Sequence, residues 1–227
     1  MSEKRRPILL VGATGLVGGQ VAREARAHPD LRLFALSRRI APLPEGSRIE
    51  MLVADPAEWP EAIARLAPRG VICALGTTWR KAGRSEAAFR AVDYDLTVSV
   101  ALEAKDAGAE NFVLISAAGA DGEARALYSR VKAEVEQTVS RVGFRRVDIL
   151  RPGLLLGPRD GDWRWLEQIG ARLDPVIGPL LPARFQSFRA IDGRAVAAAA
   201  LHLVRQDAPG LHEHGNDAIL RAAGARP

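Results

Sequence analysis

The stretch Ile8-Leu9-Leu10-Val11-Gly12-Ala13-Thr14-Gly15-Leu16-Val17-Gly18 decides how the rest of the chain is read. Four apolar residues run straight into a glycine-rich turn, and the turn opens a helical pattern over Val17–Ala27. Strand, glycine turn and helix in immediate succession is the context in which such a motif binds a dinucleotide. Glycines let the backbone approach a pyrophosphate, whose charge then meets the helix N-terminus. The match to G-x-G-x-x-G is imperfect: Ala13 replaces the first glycine, the actual spacing is G-x-x-G-x-x-G, and Gly12, Gly15 and Gly18 are the cradle. A tight strand-to-helix turn with no ligand is the alternative.

Downstream, short apolar runs alternate with helical patterns, which predicts βαβ units and a parallel sheet. Strands are expected at Arg32–Leu36, Ile49–Val53, Gly70–Leu75, Phe112–Ser116 and Val147–Leu150. Helices are expected at Trp59–Leu66, from about Ser85 to Ala107, and over about Gly122–Val142. The fold class is therefore α/β, a Rossmann-type doubly wound parallel sheet, with a small C-terminal substrate lobe. The rhythm changes after Arg151-Pro152-Gly153. Residues 154–190 carry Trp163, Trp165, Pro175, Pro179, Pro182 and one helical pattern near Asp162–Leu173. They read as a substrate-side insertion in a single domain spanning residues 1–227. Asp192 should cap an alanine-rich helix over Ala195–Val204, followed by a short Leu211–His214 segment and a last helical turn from Asp217.

Which dinucleotide is bound depends on the end of the second strand. A site for NAD usually places a carboxylate there, roughly 20 residues past the turn, on the ribose 2′-hydroxyl. Here the sequence is Leu36-Ser37-Arg38-Arg39. A guanidinium fork suits a phosphate, so NADP(H) is preferred over NAD(H), with Ser37, Arg38 and Arg39 at the 2′-phosphate. A solvated arginine pair is the alternative.

Tyr128 and Lys132, in Tyr128-Ser129-Arg130-Val131-Lys132, stand four apart on an expected helix and so share a face. A carbonyl reduction needs a proton donor beside the hydride donor, and a neighbouring ammonium favours a phenolate. Lys132 can tune Tyr128 and hold the nicotinamide ribose, while Ser116, ending the fifth strand, can orient the carbonyl oxygen. Open α/β sheets place ligands along that edge.

These runs resemble the short-chain dehydrogenase/reductase superfamily in its extended or atypical branch, and most nearly the Tat-interactive-protein-like oxidoreductases. Gly12–Gly18, Ala74-Leu75-Gly76-Thr77-Thr78, Val92-Asp93-Tyr94-Asp95, Leu114-Ile115-Ser116, Gly119-Ala120-Asp121, Tyr128–Lys132 and Arg151-Pro152-Gly153 carry the likeness. The resemblance implies a catalytic triad of Ser116, Tyr128 and Lys132. It also implies backbone amides of Thr14, Leu16 and Val17 on the pyrophosphate, Asp55 at the adenine, Leu75 and Gly76 near its ribose, and Pro152 and Gly153 near the nicotinamide carboxamide. The chain departs from the pattern in three ways: Ala117 and Ala118 follow Ser116, the Ser116-to-Tyr128 separation is short, and no asparagine marks a fourth catalytic position.

Other signals weigh less. Net charge is +5 from 32 basic and 27 acidic residues. The basic residues are dispersed, so a phosphate-bearing cofactor is expected and nucleic acid is not. Arg80, Lys81 and Arg84 should border the cofactor cleft, facing an anionic group or solvent. Ser129-Arg130-Val131-Lys132 matches S-x-x-K without its companion motifs. His212 and His214 alternate as on a strand and read as surface histidines rather than metal ligands. Cys73 is the only cysteine, which rules out an internal disulfide. No secretory leader or membrane span is legible, and a cytoplasmic protein is expected, with homo-oligomer formation by helix pairing an analogy with the superfamily. The expected activity is hydride transfer between nicotinamide and a carbonyl or alcohol. An NADPH-sensing regulator without turnover, or sugar-nucleotide epimerase or dehydratase chemistry, remains open.

Overall fold

The computed structural model describes residues 7–40, 49–157 and 188–224. Its centre is a seven-stranded, all-parallel sheet. In chain order the strands are β1 (Ile8–Val11), β2 (Leu33–Ser37), β3 (Glu50–Val53), β4 (Gly70–Cys73), β5 (Asn111–Ile115), β6 (Arg146–Leu150) and, after two short strands, β9 (Gly210–His214). In space they lie β3-β2-β1-β4-β5-β6-β9. β1 pairs with β2 from Ile8↔Leu33 and with β4 from Ile8↔Gly70. The strand order reverses at β1, which opens a crevice at the carboxyl ends of β1 and β4.

A strand buried on both faces has no use for polar alternation, which is why β1, β2, β4 and β5 are continuous apolar or small-residue runs. Their period-two geometry still splits the core in two. Ile8, Leu10, Ile72 and Val113 pack beneath α1 (Leu16–Glu24) together with two later helices, α6 (Gly193–Leu203) and α7 (Asn216–Gly224). Leu9, Val11, Val71 and Phe112 pack against α2 (Trp59–Leu66), α4 (Leu96–Asp106) and α5 (Leu127–Arg141). The alanines of α6 (Ala197, Ala199 and Ala200) are fully buried, and such small side chains let the helix lie close on the sheet. Asp192 caps it as expected, its Oδ1 accepting from the Arg194 amide at 2.8 Å.

Two expectations change at helix ends. The helix read over Ser85–Ala107 is three consecutive pieces: α3 (Glu86–Arg90), a π-helical turn (Ala91–Asp95) and α4. The helix read from Gly122 starts at Leu127, because Asp121 folds the preceding segment into a turn, its Oδ1 accepting from the Glu123 amide at 2.9 Å.

β7 (Leu155–Leu156) and β8 (Ile191–Asp192) pair in parallel as a separate two-stranded sheet. They bracket residues 158–187, so Trp163, Trp165 and the helix expected near Asp162–Leu173 lie outside the described residues. Among the described residues no helix is long and apolar enough to cross a membrane. The histidine expectation is corrected by β9: His214 is not a free surface group, since its Nε2 lies 2.8 Å from the buried Asp148, which Arg146 also grips at 2.6 and 2.7 Å.

Candidate active site

The glycine turn follows β1 into the crevice. Gly12 has φ +90°, and a Cβ there would overlap the Ala74 carbonyl at the end of β4. A Cβ on Gly18 would overlap the Gly12 carbonyl, so α1 sits directly on the turn. Gly15 is the N-cap of α1 and brings no side-chain hydrogen bond, and no acidic residue stands in the first turn. The helix's leading N–H groups, those of Leu16, Val17 and Gly18, are therefore not answered by a cap and suit an anion. Thr14 and Gly15 are exposed at the mouth. Gly12→Ala should cost roughly 1–3 kcal/mol in backbone strain alone, with the overlap adding to it. Thermal melting should show the loss, and dinucleotide titration should show binding abolished.

At the end of β2, the Ser37 hydroxyl donates to the Arg39 carbonyl at 2.8 Å and accepts from the Arg39 amide at 3.4 Å. This local turn projects Arg38 and Arg39 outward, both exposed. Neither guanidinium makes an ion pair among the described residues. Asp55 is exposed after β3 and already occupied: it caps the turn Pro56–Glu58, accepting from the Ala57 amide at 3.0 Å while its own amide donates to Glu58 at 3.1 Å.

The Tyr128/Lys132 pair expected to be catalytic sits in α5. Lys132 is buried, and its Nζ lies 2.9 Å from Oδ1 of Asp93, itself buried, in the π-helical turn. Oδ2 of Asp93 accepts the Thr77 amide at 2.7 Å. The same carboxylate thus fixes the lysine and the loop leaving β4, where Leu75 and Gly76 pass; a Cβ on Gly76 would lie 3.8 Å from Lys132 Nζ. Burial by itself would push the lysine down, but the Asp93 carboxylate outweighs it, with Tyr128 adding, and the ammonium is held above its ordinary value. Tyr128 stands one turn earlier, about half exposed, with Lys132 Nζ 5.9 Å from its ring centroid. Its hydroxyl makes no hydrogen bond among the described residues. Burial pushes the Cys73 thiol up to about 11, so this neighbour stays a neutral packing group.

Ser116 behaves differently from expectation. It ends β5 and is buried, but its hydroxyl donates to Oε1 of Glu136, two turns further along α5 than Tyr128. Arg151 grips the same carboxylate, Nε at 3.1 Å from both oxygens and NH2 at 2.5 Å, and reaches Glu213 at 2.6 Å. A hydroxyl has one proton to give, and this one is given to Glu136. The structure therefore brings Tyr128 and Lys132 together and commits Ser116 to a tie between β5, α5 and the end of β6. Pro152 accepts the Ala118 amide at 2.9 Å, and the Gly153 amide donates to Asn216 at 2.9 Å, which fixes the chain beyond β6.

Asp93, the buried partner of Lys132, is the residue of this arrangement to which the sequence assigned no role. Its signal was present: an acid at helical spacing from Phe89, Thr97 and Val100, on the stripe that faces the core.

Two pockets flank α5. A cleft of about 470 Å³ between α5 and the β6/β9 edge is lined by Asp121, Glu136, Arg151 and Glu213 among others, and contains neither Tyr128 nor Lys132. A smaller one of about 260 Å³ is walled by Trp79, Phe89, Ala126, Leu127 and Tyr128. The second is the one beside the phenol.

A protein-family model described as NAD(P)H-binding matches residues 12–171, well over half of the chain. The chain belongs to that NAD(P)H-binding family. Curated relatives include the mitochondrial protein FMP52 of Saccharomyces cerevisiae, 33% identical over 201 residues and 86% of each chain. That of Lodderomyces elongisporus is 39% identical over 163 residues, 67% of this chain and 68% of the relative. These names specify no activity. Among solved structures, MoeE5 in complex with UDP-glucuronic acid and NAD superposes with a TM-score of 0.70, at 16% identity, over 91% of this chain and 75% of the other. The UDP-N-acetylglucosamine 4-epimerase from Bacillus cereus gives 0.66 at 15%, over 95% and 82%. At such identities the likeness is one of fold, and it bears out the Rossmann-type sheet.

The cytoplasmic expectation is overturned by the relatives, which are named mitochondrial. The lack of a legible apolar leader or span does not bear on mitochondrial addressing. Mitochondrial addressing instead uses basic, amphipathic, acid-poor segments.

Proposed function

We propose that the chain is an NADP(H)-dependent oxidoreductase acting on a carbonyl or the corresponding alcohol. The observation that carries this reading is the buried Lys132–Asp93 pair, 2.9 Å apart, beside a phenol whose hydroxyl is left without a partner among the described residues. The glycine turn fits a dinucleotide pyrophosphate, and the bound cofactor would supply the hydride to the carbonyl carbon, or accept it in the reverse direction. Tyr128 gives its proton to the carbonyl oxygen as the C–H bond forms, so the C=O π pair becomes an O–H bond. The charge left on the phenolate is stabilised by the Lys132 ammonium, and Tyr128, being half exposed, recovers a proton from solvent. Ser116 supports this geometry through Glu136 instead of donating to substrate.

Arg38 and Arg39, free of ion pairs among the described residues, support the preference for the 2′-phosphate. Replacing both with Ala should weaken NADPH at least roughly tenfold, the worth of a lost hydrogen bond to a charged group, while NADH affinity barely changes. Cofactor fluorescence titration measures both. The reading itself is tested by NADPH oxidation against a panel of aldehydes, ketones and quinones. Tight NADPH binding with no turnover on any compound speaks against it.

A further inference from the structure

The pocket beside Tyr128 has its own chemistry. Phe89, fully buried in α3, meets Trp79 edge-on at 6.4 Å between centroids and Tyr128 at 5.9 Å. Leu127 and Ala126 complete the wall. Trp79 is 46% and Tyr128 45% exposed, so two aromatic rings present apolar surface to solvent on either side of a buried third. The turn that carries Trp79 is fixed, with the Arg84 amide donating to the Trp79 carbonyl at 2.9 Å and the Ala82 amide to Thr78 at 2.9 Å. Two residues before Trp79, the Thr77 amide is bound by Asp93. One carboxylate therefore positions both Lys132 and the strand exit leading to the pocket wall.

Arg80, Lys81 and Arg84 belong to the same turn but do not line the pocket, and among the described residues neither does any carboxylate. Among the described residues that line it, the only side-chain polar groups are the Tyr128 hydroxyl and the Trp79 indole N–H. A polyhydroxylated or diphosphate-bearing group would lose its water here and find too few partners among these five residues to replace it.

Resting on the oxidoreductase reading, we infer that the substrate is an uncharged carbonyl compound with an aryl or compact alkyl body, seated against Trp79, Phe89 and Leu127. Its carbonyl oxygen meets Tyr128. Sugar nucleotides, which the structural neighbours bind, are not substrates of this pocket.

The test compares NADPH-dependent reduction of benzaldehyde and naphthaldehyde with glyceraldehyde and UDP-glucose, in the wild type, Trp79→Ala and Arg65→Ala. The expected result is a kcat/KM for the aryl aldehydes roughly a hundredfold above that for glyceraldehyde, consistent with a few methylene-sized contacts, and no turnover of UDP-glucose. Trp79→Ala should raise the KM for naphthaldehyde roughly tenfold with the NADPH Kd unchanged, whereas Arg65→Ala, on the exposed side of α2, should alter neither. Equal turnover of the polar carbonyls, or indifference to Trp79→Ala, overturns the inference and leaves the reductase standing. If NADPH binds but nothing turns over, the oxidoreductase reading fails and the pocket is judged by calorimetry with naphthaldehyde and NADP+. Binding that weakens in Trp79→Ala supports the apolar site, and absence of binding overturns it.

Discussion

Replacing Tyr128 by Phe should lower kcat by about 10²–10⁴, the usual worth of a positioned general acid, while the NADPH Kd and the melting temperature stay as in the wild type. The ring survives the substitution, so its packing on Phe89 and its part in the pocket wall survive as well. Only the hydroxyl is removed. That hydroxyl makes no hydrogen bond among the described residues, so its loss leaves no buried partner unsatisfied. A fall in kcat with KM nearly constant is the signature of an interaction made in the transition state. Steady-state NADPH oxidation with a competent aldehyde gives the two constants, and cofactor titration gives the third. An unchanged kcat would remove Tyr128 from the chemistry. The same variant separates enzyme from sensor: a protein that only reads cofactor occupancy has no turnover to lose and keeps its affinity.

How much of this was legible in the sequence follows the range of the forces involved. Strands buried on both faces announce themselves as unbroken apolar runs, and β1 and α2 fall on the expected residues because burial and a proline-led helix start are local. The Tyr128–Lys132 relation is likewise local, four residues on one helix. The π-helical turn was not legible, because a single i+5 turn shifts the hydrophobic stripe too little to show in spacing. With it went the role of Asp93, although an acid on a buried stripe is a strong hint. Ser116 was placed correctly at the end of its strand, but which group takes its proton depends on Glu136, 20 residues away, and on Arg151 beyond that. Such partners are set by the fold and not by neighbouring residues. The pocket was invisible for the same reason, since Trp79, Phe89 and Leu127 come from three separate segments.

Asp93→Ala should be the most destabilising single change at the site. It would leave the Lys132 ammonium, 7% exposed, without a counter-ion and the Thr77 amide without an acceptor. Removing one partner of a buried pair costs about 3–5 kcal/mol, which for a chain of this length is about 10 °C in melting temperature. The pH dependence identifies the cause. In the wild type Lys132 is held above its ordinary value of 10.5. Its contribution is therefore complete below 10.5 and disappears as pH rises through the higher folded value. In the variant the opposing carboxylate is gone and burial pushes the lysine down instead. The folded state then prefers the neutral amine, so the variant gains stability as pH rises towards 10.5. The two melting curves should converge with rising pH, and adding Lys132→Met to Asp93→Ala should recover part of the loss at neutral pH. A constant gap from neutral to alkaline pH would assign the damage to the Thr77 loop rather than to the ion pair.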